Sequence, residues 1–186
     1  MNTISETKKF YSNWAKSAHP VFKNNRFSLL EKDDFHVIEY HKKQVIVLPI
    51  LEDKSIIMPK VKRHILGDAT WELPAGGMTD GESEEDGALR ELREETGISI
   101  FDTSRLNKET TLVVSQNRLP MFPSIFSIDV MIDEFEQRNH HDHEVESVRS
   151  ISFNKIKEMI IDGDIITSIT ISILARFLLS KDIASV

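Results

Sequence analysis

Three carboxylates gather near the end of one predicted helix. They are Glu91, Glu94 and Glu95 in SEEDGALRELREETG, with Arg90 on their border. Like charges three and four residues apart repel on a helix surface. Glu94 and Glu95 also fall in the last turn, where the helix dipole disfavours them. A strongly positive partner would resolve the conflict. The stretch before the helix, PAGGMTDG, is a Pro/Gly turn whose backbone, Gly76 included, can approach a ligand closely. Clustered hard oxygen ligands with an open side suit Mg²⁺ or Mn²⁺, which keep waters and take substrate phosphates as further ligands. Charge runs of this kind are more often solvated faces, and charge pattern alone favours that reading.

The elements that must position these groups are legible in outline. Ser83 is a good N-cap, Asp86 three residues on can complete a capping box, and Gly97 stops the helix. Ala88, Leu89 and Leu92 share the face that can bury against a sheet. FHVIEY (35–40) and QVIVLPI (44–50) read as a hairpin, and DKSIIM starts another strand. Residues 60–70 read as a loop with a basic cluster of Lys60, Lys62, Arg63 and His64. TWELPAGG reads as a strand entering the turn. TLVVS (111–115), SIFSIDVMI (124–132) and VESVRSISF read as strands, with a polar loop over 134–144 and two closing helices. The order predicts an α+β fold with helices on a mixed sheet. Residues 1–34 form an N-terminal extension, and 35–186 form the main domain.

Composition excludes several classes. The chain has 186 residues, 40% of them apolar, and no run long enough to span a membrane. It has no cysteine, which removes disulfides, thiolate metal sites and Cys nucleophiles. The N-terminus lacks the apolar region of a signal peptide, and a cytoplasmic location is expected. The net charge of -7 argues against a nucleic-acid groove. His140, His141 and His143 on a polar loop read as solvated rather than as a zinc cluster.

The spacing carries a resemblance. Gly76, five residues, Glu82, seven residues, Arg90-Glu91-Leu92, one residue, Glu94-Glu95, one residue, Gly97-Ile98 resembles the Nudix box at every fixed position. The resemblance implies an α/β/α sandwich with a mixed sheet and hydrolysis of a diphosphate bond in a nucleoside diphosphate linked to a group X. It implies Glu91 and Glu95 as main metal ligands, Glu94 as a further ligand or water-orienting group, and Arg90 as a fork that pins the carboxylates. Glu82 takes a structural or outer role. Mg²⁺, with Mn²⁺ as substitute, is the implied cofactor and the missing positive partner.

WELPAGG narrows the likeness to ADP-ribose and ADP-sugar pyrophosphatases. There the carbonyl at Ala75 would bind metal, and Arg63, nine residues before Glu72, would contact the substrate's phosphates. Glu72 is an outer ligand or an ordinary strand residue. The implied general base is Glu144, with Glu146 as the alternative. The implied protein is a homodimer on a nucleotide-sugar substrate, its N-terminal segment (Phe10, Trp14) crossing to the partner or walling the base. Two features depart from the subgroup: its Ser-Pro-Gly is replaced by Ser115-Gln116-Asn117-Arg118, and Gly87 stands inside the helix, where glycine costs about 1 kcal/mol relative to Ala. Hydrolysis of dinucleoside polyphosphates, NADH or nucleoside triphosphates stays open, as does a non-catalytic ligand sensor.

Overall fold

The computed structural model describes residues 3–139 and 142–184. His140 and His141 lie outside the described residues. An N-terminal layer comprises helix α1 (Ile4–Ser17) and strands β1 (His19–Lys23), β2 (Phe27–Lys32) and β3 (Phe35–Tyr40). Then come β4 (Gln44–Leu51), β5 (Ser55–Arg63), β6 (Asp68–Trp71), β7 (Ala75–Gly77) and α2 (Glu84–Thr96). The chain closes with β8 (Asn107–Glu109), β9 (Ser124–Val130), α3 (Ile132–Glu136), β10 (Val145–Ser152), α4 (Phe153–Asp162) and α5 (Ser168–Ala184).

β4 organises the main domain. Its run VIVLPI is apolar on both faces, as a central strand requires. Val45 and Val47 face α2 with Ala88, Leu89 and Leu92, while Ile46 and Leu48 face the α4–α5 side with Ile156 and Leu174. Two apolar layers on opposite faces make an α/β/α sandwich. The sheet order is β10-β5-β4-β9-β8, with β6 on β5 and β7 on β4. β4 and β9 are parallel and the other pairs antiparallel, so the sheet is mixed, as expected. Phe177 packs edge-on against Phe153 at 5.5 Å, and Leu178 is buried.

Four local expectations are corrected. The 35–40/44–50 hairpin does not form: β3 pairs with β2 in a separate three-stranded sheet. Asp33 and Asp34 make the turn at φ 52° and 63°. Positive φ at both central residues is the type I′ geometry that suits a two-residue hairpin, and without glycine the turn carries little local signal. Residues 60–63 are not loop but the end of β5. Val61 is buried between Lys60 and Lys62, so the cations occupy only one side of a paired strand. TLVVS is not a strand; β8 takes the ladder position beside β9, and Thr111 donates its hydroxyl to the Pro123 carbonyl at 2.6 Å. The strand expected through residue 132 stops at Val130: Glu134 accepts the Met131 N–H at 2.9 Å, and α3 begins at Ile132 and runs into the expected loop.

The segment that departs from the subgroup motif has a structural task. Ser115 and Leu119 bridge across a tight turn, and the Arg118 carbonyl accepts the Ile38 N–H at 2.8 Å. Tyr11 meets Phe122 at 6.3 Å. Residues 115–122 therefore hold the N-terminal layer against the main domain.

Candidate active site

α2 begins as expected, with Ser83 accepting the Asp86 N–H at 3.0 Å. The capping box is not completed: Asp86 accepts the Ser83 hydroxyl at 2.6 Å instead of a backbone N–H. Gly97 closes the helix at φ 79°. Arg90 then gathers the acidic groups. Its Nε and Nη2 bond Glu82 at 2.8 and 3.0 Å, and its Nη1 bonds Glu91 at 2.6 Å and Glu94 at 2.9 Å. Nη2 also donates to the Gly77 carbonyl at 3.0 Å, fixing the turn to the helix. The fork holds the Glu82 carboxyl down at about 2. Gly87 makes room for this pair: a Cβ there would stand 3.1 Å from Glu82 Oε2. The Glu82 side chain is what passes close to it.

Glu91 and Glu95 turn inward from the helix, whereas Glu94 stays exposed. Glu91 is only 7% exposed and lies on the bare Cα of Gly76, where a Cβ would fall inside its carboxylate. Glu95 accepts the Ala75 N–H at 3.1 Å. Burial pushes Glu95 up to about 8, and burial also raises Glu91 against the pull of Arg90. These two acids are therefore short of positive charge.

A second group faces them from β5 and β6. Arg63 donates through Nε and Nη2 to both oxygens of Glu72, each at 2.7 Å. Thr70, buried and two residues before Glu72, donates its hydroxyl to the same carboxylate. The Glu72 bonds raise Arg63 first, and the charges of Glu72, Glu95 and Glu144 raise it further. Glu144 is exposed, with its N–H on Asp142 at 2.7 Å and its carbonyl accepting the Lys62 N–H at 2.7 Å. Lys62 Nζ reaches the His143 carbonyl at 3.3 Å. Glu146 instead pairs with Lys60 at 3.4 Å. Thus Ala75, Gly76, Glu91 and Glu95 come together, and Arg63, Glu72 and Glu144 adjoin them. Thr70 and Lys62 were missed. Thr70 shares a strand face with Glu72 by the period of two, a signal that was available; Lys62 looked like an ordinary loop cation.

The model of the NUDIX domain matches residues 40–167, more than half of the chain. The chain belongs to the NUDIX family. It is 29% identical over 120 residues to an ADP-ribose pyrophosphatase of Bacillus subtilis (strain 168), covering 64% of this chain. It is 46% identical over 57 residues, 28% of this chain, to an ADP-sugar pyrophosphatase of Mus musculus. These matches span 63% and 26% of the relatives' own lengths. A crystal structure of an ADP compounds hydrolase superposes with a TM-score of 0.67 at 16% identity, covering 91% of this chain and 92% of that one. The N-terminal layer precedes the matched NUDIX residues almost entirely.

Nudix hydrolases generally use divalent metal ions, and the residues present fit one. The donors are all oxygen, and burial leaves Glu91 and Glu95 needing a positive neighbour. Among the described residues no three acidic or histidine side chains converge as a ready-made cage. Glu91 and Glu94 are turned onto Arg90 and Glu95 onto Ala75, so side-chain rotation would be needed to gather them on one ion. The NUDIX helix thus gives a pH prediction. Glu95 has a folded value of about 8, above its unfolded one, so the metal-free folded state keeps a proton that the unfolded chain releases. In EDTA, stability falls as pH rises from the ordinary carboxyl range through about 8. A cation binds the deprotonated form, so the gain in Tm on adding Mg²⁺ grows over the same window. Melting curves with and without Mg²⁺ from pH 6 to 9 check this; a Mg²⁺ shift independent of pH contradicts it.

Proposed function

We propose that this NUDIX protein hydrolyses the diphosphate bond of a nucleoside diphosphate sugar of the ADP-ribose type, giving a nucleoside monophosphate and a sugar phosphate. The observation that carries the reading is the field at Arg63. That guanidinium, fixed by Glu72, feels both Glu95 of α2 and Glu144 of the loop before β10. The groups proposed here to bind phosphate, hold metal and accept a proton come from three separate segments, and their charges act on one another at Arg63. The names of the relatives, ADP-ribose pyrophosphatase and ADP-sugar pyrophosphatase, support the substrate class.

Glu91 and Glu95, with Glu94 and the Ala75 carbonyl, would hold Mg²⁺, Mn²⁺ being the substitute. When bound, the metal offsets charge on the diphosphate and lowers the pKa of water. Arg90 keeps Glu91 and Glu94 in place and does not touch substrate. Gly76 admits the Glu91 carboxylate and the substrate to the same backbone. Arg63 neutralises and orients the diphosphate, its Nη1 making none of the Glu72 bonds. Water oxygen bonds to one phosphorus while the bridging P–O bond breaks, and Glu144 takes the water proton. The leaving phosphate carries off the bridging oxygen and its electron pair.

Glu144→Gln lowers kcat about 100-fold, and Glu146→Gln lowers it less, since that carboxylate faces Lys60. The reverse order in steady-state kinetics transfers the base to Glu146. Substrate class is tested by turnover with Mg²⁺ on ADP-ribose, ADP-glucose, GDP-mannose, NADH, a diadenosine polyphosphate and nucleoside triphosphates. Preference for the first two supports the reading, and preference for the others replaces it.

The N-terminal segment, with β3, is proposed as the contact of a homodimer: all five residues of β1 are exposed, and α1 buries none of its residues. Among the described residues no helix is long and apolar enough to cross a membrane. A cytoplasmic location is proposed on the absence of cysteine.

A further inference from the structure

Two cavities differ in chemistry. One, of 390 Å³, opens where Gln44 and Lys42 pack against Gly77, and Tyr11, Tyr40 and Phe122 are among its walls. The other, of 330 Å³, sits at the β5–β6 hairpin. Its charged lining is Lys62, Arg63, His64, Asp68 and Glu146; only Gly67 and Ala69 complete it. No aromatic or branched aliphatic side chain lines it. In the sheet order the first cavity falls on the β4–β9 side and the second on the β10–β5 side.

Arg63 belongs both to the diphosphate site and to the second cavity. A substrate whose phosphates rest on Arg63 therefore extends one of its ends past the hairpin. We propose that this cavity receives the hydroxylated X group, the sugar, and that Asp68 selects for it; the proposal rests on the nucleotide-sugar reading above. Sugar hydroxyls donate and accept at once, so they need side chains of both kinds. Lys62, Arg63 and His64 supply N–H donors, and Asp68 and Glu146 supply acceptors. The Asp68 carboxylate is held at the rim, where its Oδ1 accepts the Ala69 N–H at 2.7 Å. Oδ2 is not used in that bond. A nucleobase needs a flat apolar wall, which this cavity lacks and the aromatic one has. The two ends of the substrate are thereby told apart.

The test uses the full-length protein, with ADP-ribose as substrate and the two half-products, ribose 5-phosphate and AMP, as inhibitors. Asp68 is exposed and outside the core, so Asp68→Ala stays folded, which a melting curve verifies. The variant raises KM for ADP-ribose about tenfold and leaves kcat within about twofold. Inhibition by ribose 5-phosphate weakens in proportion while inhibition by AMP is unchanged. An unchanged KM overturns the assignment, as does a variant in which AMP inhibition is the one that weakens. Wild-type protein that cleaves no nucleoside diphosphate sugar defeats the functional reading itself, and this inference with it. Cleavage by wild type combined with a silent Asp68→Ala defeats only the cavity assignment.

Discussion

Glu95→Gln is expected to remove turnover by about 1,000-fold or more, equivalent to ~4 kcal/mol of transition-state stabilisation. The variant keeps the size of the side chain and can still accept the Ala75 N–H, so the local packing survives. What it loses is a charge. Glu95 is the acid on α2 most strongly pushed toward its neutral form, and Arg90 is already committed to Glu82, Glu91 and Glu94. A neutral amide therefore costs the metal-free fold nothing at high pH. Above about pH 8 in EDTA the variant melts at or above the wild-type temperature, and its stability loses most of the pH dependence described for wild type. Loss of activity with retained or increased Tm separates a ligand from a structural acid. Activity near the wild-type level defeats the metal-site assignment.

Gly76→Ala is the second large effect, and it acts through shape alone. The added methyl has nowhere to go except into the Glu91 carboxylate, which is itself pinned by Arg90 Nη1 at 2.6 Å. Either the carboxylate leaves its place or β7 moves off β4. Overpacking of this kind costs about 1–3 kcal/mol, and displacement of a metal-ligating carboxylate by an ångström costs about 100-fold in rate. The expected result is a drop in kcat of that order with Tm lowered by a few degrees. The same substitution at Gly81, where a Cβ would meet nothing within 4 Å, disturbs only a turn at φ 82° and leaves Glu91 untouched. Equal loss of activity in the two variants would show that the turn's flexibility, not the contact with Glu91, matters.

The chemistry was more legible than the topology. The spacing from Gly76 to Ile98 marked the helix, its cap and its stop, because each rests on local residue types. It could not say where Glu82 would go; that depended on Arg90 reaching back eight residues and on Gly87 leaving room. Arg63 and Glu72 stood out by their separation; in the antiparallel β5–β6 pair Arg63 sits opposite Asp68, and its long side chain runs along the shared strand face past Thr70 to reach Glu72. The errors were errors of pairing. FHVIEY and QVIVLPI both have strand composition, but composition does not name a partner, and the tighter Asp33–Asp34 turn claimed β3 for the N-terminal sheet. TLVVS has β-branched residues without a ladder, because β9 had already paired with 107–109. Lys60 and Lys62 have loop composition, yet the apolar Val61 between them is buried in a paired strand. Lys62 acts through a contact set by tertiary structure, which no local pattern announces, whereas Thr70's place beside Glu72 follows from the strand period of two.

The central claim is that the α2 carboxylates, Arg63 and Glu144 form one metal-dependent site that cleaves a nucleotide-sugar diphosphate. The most direct test incubates the protein, stripped with EDTA, with ADP-ribose while Mg²⁺ is titrated back, and separates the products by chromatography. The account predicts no reaction before Mg²⁺ is added, then AMP and ribose 5-phosphate in equal amounts, rising with occupancy of the metal site. Turnover that does not depend on divalent metal, or products other than those two, would contradict it.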